Sequence, residues 1–265
     1  NFITDLLPVL SSSKTVALVY GKIDLIDADG KPWPVETGWP QAYNLSEQFK
    51  KHNQVPSCNM MRRDIFFRAG GFRQHTAPCE DAELWTRFPL AGYETKLATQ
   101  NKVYKYRIHK NAATAQIKRG REEEPNWMQY IAVAKGAPQP FASLVPPENG
   151  RAHPVGVFCS PPISVVIPCG NNHGALLRDA IESVVAQSDY HWEIIVVDDT
   201  DEGNLGTRGH YPYQQQYPFV RWIRNTNLHN VSTARNLGAA AARGKYLVFL
   251  DADDCLLPDY LKRCY

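Results

Sequence analysis

Apolar and polar residues follow a regular pattern in the second half of the chain. ISVVIP at 163–168 is a continuous apolar run, which is typical of a strand buried on both faces. Two helical and three further strand patterns follow in the order GALLRDAIESVVAQ, WEIIVVDD, VRWIRN, STARNLGAAAARG and YLVFLDADD. The order β-α-β-β-α-β predicts a doubly wound α/β sheet. In the second helix, Ser232 is the predicted N-cap and Gly244 the predicted C′ residue.

The first part of the chain mixes strand and helix patterns. TVALVYGKIDLID at 15–27 alternates like a pair of strands. EDAELWTRFPLAG at 80–92 predicts a helix that ends near Gly92, with Leu84 and Trp85 facing inward. Both element types are therefore expected here too.

Proline divides the chain into three regions, 1–115, 116–160 and 161–265. The middle region carries prolines at positions 125, 138, 140, 146, 147 and 154. Because proline lacks an amide donor and blocks regular structure, we expect a helix around 127–135 followed by an irregular connector.

Charge and composition narrow the class of protein. A formal net charge of +2 gives no reason to expect a nucleic-acid partner or a polybasic membrane anchor. The longest apolar runs are too short for a transmembrane segment, which leaves peripheral membrane association open. The six cysteines, at 58, 79, 159, 169, 255 and 264, form no CxxC pair. We interpret them as reduced thiols of a cytoplasmic protein, at the inner face of a membrane if it associates with one.

Acidic residues follow two of the predicted strands directly. Asp198 and Asp199 end IIVVDD, and Asp251, Asp253 and Asp254 end LVFLDADD. Ligands of such sheets bind beyond the carboxyl ends of the strands, and carboxylates at this spacing suit Mg²⁺ or Mn²⁺. The chain shows no glycine-rich phosphate loop, so a metal is expected to neutralise the phosphates of a nucleotide diphosphate. The alternative is that these acids only cap helices.

Residues 161–265 resemble the nucleotide-binding half of the inverting family 2 glycosyltransferases, which have the GT-A fold. The resemblance rests on ISVVIPCGN, LLRDAIESVVAQ, WEIIVVDDTD and NLHNVSTARNLGAAAARGKYLVFLDADD. It implies that Asp199 binds the nucleotide base, that Asp251 lies near the ribose and that Asp253 binds the metal. It further implies a metal contact for Asp254 and donor contacts for Pro168 and Arg235.

The region at 1–115 resembles the acceptor-side half of the same fold over about residues 12–115. The resemblance rests on LVYGKIDLIDADGK, CNMMRRDIFFRAGGF, CEDAELWTRFPLAG and VYKYRIHKNAATA. It implies that Glu80 and Asp81 form the acidic acceptor-side motif, with Asp81 as general base; the alternative is a pair of helix-start acids. His109 is a candidate metal ligand. DADG at 27–30 instead predicts a turn that needs the unusual backbone angle of Gly30.

The two halves stand in permuted order, acceptor side first. Read from the C-terminus back into the N-terminus, apolar residues keep a helical spacing at Leu257, Tyr260, Leu261, Cys264, Phe2, Ile3, Leu6 and Leu7. We therefore expect a window from a tandem glycosyltransferase, cut inside a helix, with a circular permutant as the alternative. Either origin lets the halves close into one GT-A-like mixed sheet flanked by helices. Halves left apart would expose apolar faces and exchange between chains.

The resemblance implies a metal-dependent, inverting glycosyltransferase. Its donor would be a nucleotide-diphosphate sugar and its acceptor a hydroxyl of a glycan or lipid-linked molecule, as in polysaccharide biosynthesis. One alternative is a catalytically inactive binding or assembly fragment, since the halves could belong to two active sites. A sugar-nucleotide pyrophosphorylase is the other, although the glycine-rich basic loop expected of it is absent from the sequence.

Overall fold

The computed structural model describes the chain in segments. These are residues 2–34, 42–44, 53–73, 80–109, 163–171, 173–187, 192–201, 213–226 and 229–257. The predicted helix at 127–135 and the connector at 116–160 lie outside the described residues. No helix in the described segments is long and apolar enough to cross a membrane. Of the six cysteines, the three within them, Cys58, Cys169 and Cys255, are free thiols.

The second region forms the strands and helices that its pattern predicts. They are β4 (Ile163–Cys169), α4 (Leu177–Val185), β5 (Trp192–Asp198), α5 (Tyr213–Gln216), β6 (Arg221–Arg224), α6 (Val231–Ala241), β7 (Tyr246–Phe249) and β8 (Cys255–Leu256). Every residue of β4 and β7 is buried, as expected for strands covered on both faces.

The first region contributes three strands and three helices to the described structure. They are α1 (Phe2–Ser12), β1 (Val16–Ile26), β2 (Met60–Arg62), α2 (Arg63–Arg68), α3 (Glu80–Leu90) and β3 (Glu94–Arg107). The helix predicted at 80–92 is confirmed, with Leu84 and Trp85 buried and Gly92 just beyond its end at φ +82°.

All eight described strands lie in one sheet, in the order β6-β5-β4-β7-β2-β1-β3-β8. Strands β4, β5, β6 and β7 pair in parallel, as do β1 and β3. The two regions meet where β2 pairs antiparallel with β7, through Met60 opposite Val248 and Met61 opposite Leu247. The predicted mixed α/β sheet is confirmed, and within the described residues both regions share it.

Helices cover both faces of this sheet. Val165 and Ile167 pack with Leu10, Leu177 and Ile181, so α1 and α4 lie on one face. Strand residues that alternate with these pack on the opposite face, against α2, α3 and α6. This second core includes Val166, Ile195, Phe66, Trp85 and Ala234. Phe72 contributes to this second core, its ring centroid 5.2 Å from that of Phe249, so aromatic packing also joins the two regions.

Three local predictions are wrong. The segment at 15–27 forms the single strand β1 rather than a strand pair. Helix α6 is capped by Asn230, whose side chain accepts a hydrogen bond from the Thr233 amide, while Ser232 is buried in the first turn. Gly244 is not the C′ residue, because the helix ends in an extended residue, Ala242.

The apolar spacing that joins the two termini is only partly within the described residues. Leu257 does not belong to a helix, since it directly follows β8 and its amide donates to the Val103 carbonyl at 3.4 Å. Residues 258–265 lie outside the described part of the chain. The expectation that the chain is cut inside a helix therefore stays a prediction.

Gly238 allows α6 to lie directly on the sheet. A Cβ atom at this position would approach Cγ1 of Val166 to 2.3 Å and Cγ2 of Val197 to 3.1 Å. We expect Gly238→Ala to lower the free energy of unfolding by about 1–3 kcal/mol in urea denaturation, because the core cannot accept the extra methyl group. Alanine's better helix propensity, worth up to about 1 kcal/mol, is too small to compensate.

Ala240→Gly provides the matched control on the exposed side of the same helix. It should lose about 1 kcal/mol through helix propensity alone. A gain of stability in Gly238→Ala would contradict the close approach of α6 to the sheet.

Candidate active site

Arg235 of α6 ties the two regions together at the carboxyl end of β7. Its buried guanidinium donates to Oε1 of Glu80 at 2.9 Å and to Oδ1 of Asp251 at 2.8 Å. Burial alone would lower the pKa of Arg235, but the charges of Asp251 and Glu80 outweigh it and the net direction is upward. Arg235 therefore stays charged and neutralises two carboxylates from different regions.

His109 and Asp253 meet next to this ion triad. Nε2 of His109 lies 2.7 Å from Oδ2 of Asp253, with His109 two residues beyond β3 and Asp253 in the turn after β7. A second imidazole faces the same carboxylate, since Nε2 of His173 lies 3.7 Å from Oδ2 of Asp253. The three potential ligand atoms all lie within 4.8 Å of one another.

This cluster fits a divalent cation. Two ligands about 2.1 Å from one ion stand roughly 3.0–3.4 Å apart, and the measured separations of 2.7 Å and 3.7 Å lie on either side of that range. Nε2 of His173 is buried and has no hydrogen-bond partner among the described residues, which is an unusual state for a polar atom. His109, His173 and Asp253 are therefore the residues that would hold a metal.

Asp254 is placed differently from the metal ligand that the resemblance implies. Its side chain is buried, and Oδ1 accepts a hydrogen bond from the Arg107 amide at 2.8 Å. Burial, with the nearby charges of Asp253 and Asp251, raises the pKa of Asp254 well above its usual range. Asp254 is not among the three clustered ligand atoms, so we replace it by His173 as a candidate ligand.

Arg107 holds the turn that carries Asp253. Its Nε donates to the Asp253 carbonyl at 2.9 Å and its Nη2 to Oδ2 of Asp179 at 3.1 Å. Its Nη1 donates to the carbonyl of Ala28 at 2.8 Å, within the predicted turn at 27–30, where Gly30 has φ +83°. The predicted turn at 27–30 is thus confirmed. Through Arg107 it is connected to the acidic loop, the turn after β7 that carries Asp251, Asp253 and Asp254.

Asp81 lies beside Glu80 at the start of α3. Its Oδ2 accepts a hydrogen bond from Nδ2 of Asn53 at 2.8 Å, and its Oδ1 contacts the Ala82 amide at 2.6 Å. Burial raises the pKa of Asp81 to about 7, and the charge of Glu80 adds to this while Arg235 opposes it. A carboxylate with a pKa near 7 is well matched to accepting a proton at neutral pH.

Asp199 directly follows β5, at the same carboxyl-end edge of the sheet as the turn after β7. Its Oδ1 accepts a hydrogen bond from Nδ2 of Asn225 at 2.6 Å and lies 3.3 Å from Nδ1 of His229. Burial raises the pKa of Asp199, although these two contacts act in the opposite direction. Its neighbour Asp198 instead accepts from the Thr200 amide at 3.0 Å and so closes the turn.

The loop after β4 faces the same edge. Pro168 is a buried residue of β4 opposite Val197, so the predicted donor contact falls on a side chain enclosed in the sheet. The accessible part of the loop begins with Gly170, and a Cβ atom there would meet nothing within 4 Å. Asn171 next to it exchanges two hydrogen bonds with Asp201, at 2.8 Å and 2.9 Å.

Sequence reasoning missed several residues of this site. These residues lie in loops or at strand ends, where the sequence has no periodic pattern that could identify them. They are His173, Asn53, Arg107 and Asn225. The only signal that could have found His173 is its position beyond the carboxyl end of β4, the edge where ligands bind in such sheets.

The comparisons with known proteins concern mainly the second region. The family model "Glycosyl transferase family 2" matches residues 164–265. An uncharacterized protein of Sinorhizobium fredii, y4gI, is 44% identical over 102 residues, which is 38% of this chain and 11% of that protein. The putative teichuronic acid biosynthesis glycosyltransferase TuaG of Bacillus subtilis is 35% identical over 111 residues, 39% of this chain and 40% of that protein.

A third relative extends over both regions. An uncharacterized glycosyltransferase of Rickettsia conorii is 23% identical over 284 residues, which cover 97% of this chain and 46% of that protein. The chain thus spans less than half the length of each of these three relatives. A crystal structure of S. aureus TarS is 21% identical and covers 37% of this chain and 28% of that chain, with a TM-score of 0.31, too low to support any argument.

The family match, the named relatives and the fold agree with the motifs around the acidic loop. The resemblance of the second region is thereby confirmed, while the permuted order of the halves stays a prediction. Over residues 164–265, the chain is similar to glycosyl transferase family 2.

Proposed function

We propose that this protein transfers a sugar from a nucleotide-diphosphate donor to a hydroxyl of a glycan or lipid-linked acceptor, with inversion at the anomeric carbon. The observation that carries the proposal is the meeting of His109 from the first region with Asp253 from the family 2 segment. Such a transfer needs a metal site for the leaving group and a proton acceptor; the three clustered ligand atoms supply the first, and Asp81, with its pKa near 7, supplies the second.

Donor binding is assigned to the edge formed by β4, β5 and β7. Asp199, held by Asn225, would accept a hydrogen bond from the nucleotide base, and the open space at Gly170 leaves room beside it. Asp251 would face the ribose, with its orientation fixed by Arg235. His109, His173 and Asp253 would hold Mn²⁺ or Mg²⁺, which supplies a Lewis acid for the diphosphate leaving group.

The transfer itself would be a single displacement. The acceptor oxygen attacks the anomeric carbon while the sugar–phosphate bond breaks, and the nucleoside diphosphate leaves with the bonding electrons. Asp81 takes the proton of the acceptor hydroxyl, and Asn53 fixes the direction of its carboxylate. Glu80 is bound to Arg235, so we assign it the positioning of that guanidinium rather than proton transfer.

The domain organisation follows from the same assignment. Residues 1–115 would act as the acceptor-side half and residues 161–265 as the nucleotide-binding half of one GT-A-like domain. The pairing of β2 with β7 and the contact of Arg235 with Glu80 support this, since both cross from one half to the other. The Rickettsia relative, which aligns with 97% of the chain, supports the same order of halves inside a longer protein. TuaG takes part by name in teichuronic acid biosynthesis, which supports a polysaccharide context.

Asp253→Asn tests the proposal. We expect it to lower Mn²⁺-dependent release of nucleoside diphosphate from a panel of sugar nucleotides by about 10²–10³-fold, because the loss removes charge stabilisation at the leaving group. Release is measured with and without Mn²⁺, in the presence of a glycan acceptor mixture.

Asp29→Asn is the matched control, since Asp29 is the exposed second acid of the similar DADG turn. It should leave the rate unchanged. Binding of sugar nucleotides without any turnover by the unmodified protein would contradict the proposal and indicate a binding module instead.

A further inference from the structure

His173 is held firmly although it lies in a loop. Its backbone amide donates to the Gly170 carbonyl at 3.2 Å, and its carbonyl accepts from the Leu177 amide at 3.1 Å at the start of α4. The ring lies edge-on to that of His109, with centroids 5.9 Å apart and an interplanar angle of 82°. The imidazole is therefore presented to Asp253 from a fixed backbone.

The contacts of this imidazole are incomplete. Its Nε2 is buried and lacks a hydrogen-bond partner among the described residues, yet it points to Oδ2 of Asp253 at 3.7 Å. That separation is too long for a hydrogen bond, and it is about 0.3 Å longer than the upper limit for two ligands of one ion, so a small approach of the two side chains would suffice for both to bind it. The side chain as a whole is about a quarter exposed, at 26%.

We propose that His173 is a third protein ligand of the cation, and that the pair His109 and His173 makes the site select a first-row transition-metal dication over Mg²⁺. The inference rests on the proposed function, which places a divalent cation here. Mg²⁺ prefers an octahedral set of oxygen ligands and gives up its waters reluctantly. A set of two imidazole nitrogens and one carboxylate favours transition ions instead.

The three ligands come from three separate elements. His109 follows β3 of the first region, while His173 precedes α4 and Asp253 follows β7 of the second. A cation bound to all three would be coordinated by both regions at once. The preference for a transition-metal ion over Mg²⁺ should then depend on His173. His109 and Asp253 contact each other directly, so they would still form a site with a single imidazole if His173 were removed.

Mn²⁺ alone, with no sugar nucleotide, is the probe. The electron paramagnetic resonance signal of free Mn²⁺ falls as the ion binds, so a titration yields its affinity directly. We expect His173→Ala to weaken Mn²⁺ binding at least about tenfold, which is the lower range for disturbing a metal site. We also expect a hundredfold excess of Mg²⁺ to leave Mn²⁺ on the unmodified protein.

His173→Asp and His229→Ala complete the experiment. His173→Asp replaces the nitrogen by a carboxylate oxygen, so it should retain a bound ion and let the same excess of Mg²⁺ displace Mn²⁺. His229→Ala removes another partly exposed histidine, one that contacts Asp199, and should leave Mn²⁺ affinity unchanged. Circular dichroism spectra verify that each variant is folded.

Two results would overturn the inference in distinguishable ways. Unchanged Mn²⁺ affinity in folded His173→Ala, with tight binding to the unmodified protein, would remove His173 as a ligand and leave the proposed function intact. Absence of Mn²⁺ binding to the unmodified protein would refute both this inference and the metal dependence of the proposed transfer.

Discussion

Arg235→Met should destabilise the protein by about 3–5 kcal/mol, because it leaves two carboxylates without their shared counter-ion. The side chains of Arg235 and Glu80 are each only 7% exposed, so water cannot take over the lost contacts. Since proteins of this kind are stable by about 5–15 kcal/mol, the variant should unfold at a much lower urea concentration. Urea denaturation followed by circular dichroism at pH 7 measures the difference.

Lys102→Met is the matched control for this prediction. Lys102 also bonds a carboxylate between two elements, Oδ1 of Asp24 at 2.8 Å, but its side chain is 48% exposed. Its loss should cost no more than about 1 kcal/mol. Adding Glu80→Gln to Arg235→Met should restore part of the lost stability, since it removes one of the two unpaired charges. Equal urea midpoints for Arg235→Met and Lys102→Met would contradict the buried triad.

The same substitution should also abolish sugar transfer. Arg235 fixes Asp251, which we propose to face the donor, and Glu80 next to Asp81, the proposed proton acceptor. Arg235→Lys keeps the charge, but a single ammonium group does not reproduce a planar fork that reaches two carboxylates in different directions. It should therefore retain more stability than Arg235→Met while remaining strongly impaired in turnover.

The sequence predicted those parts of the fold in which the local pattern and the tertiary environment agree. Strands β4, β5 and β7 are apolar runs buried on both faces, so their composition alone defines them. The segment at 15–27, expected to form a strand pair, is instead the single strand β1, which runs through Gly21. A Cβ atom at Gly21 would approach Val103 to 2.9 Å, so this glycine marks the close approach of β3 to β1 within an unbroken strand.

The candidate site was predictable only where its residues follow strands directly. Asp251 and Asp253 were found because they end an apolar run, whereas Asp254 was assigned to the metal although it stands at the alternate position and turns inward to the Arg107 amide. The N-cap of α6 failed for a related reason, since both Asn230 and Ser232 suit that role and only the burial of Ser232 decides between them. Contacts such as Arg235 to Glu80, 155 residues apart, have no local signal at all.

Asp81→Asn should lower the turnover number by about 10²–10⁴-fold and leave donor affinity unchanged, because it removes the proposed proton acceptor and leaves the candidate metal ligands in place. For the unmodified protein, kcat/KM should rise with pH and level off above about 7, where the Asp81 carboxyl, with its pKa of about 7, is deprotonated. A pH–rate series with saturating Mn²⁺ measures both effects. The residual activity of Asp81→Asn should no longer show the limb near pH 7.

Asp81→Asn should raise the stability of the folded protein although it lowers turnover. Because the pKa of Asp81 is raised on folding, the folded state holds an extra proton between about pH 4 and pH 7, and stability decreases as pH rises through that window. Asp81→Asn removes this cost, so it should be more stable than the unmodified protein by about 1–2 kcal/mol at pH 8 and about equal to it at pH 4.

Asp64→Asn separates this prediction from a simple helix-start effect. Asp64 is an exposed acid in the first turn of α2, where a carboxylate interacts favourably with the helix dipole. Its replacement should cost up to about 1 kcal/mol at pH 8 and should leave turnover unchanged. If Asp81→Asn behaved like Asp64→Asn in both measurements, Asp81 would be a helix-start acid and the proton acceptor would have to be sought elsewhere. A large loss of turnover together with a gain of stability at pH 8 is the combination that a buried catalytic base requires, since its burial raises its pKa at the expense of the folded state.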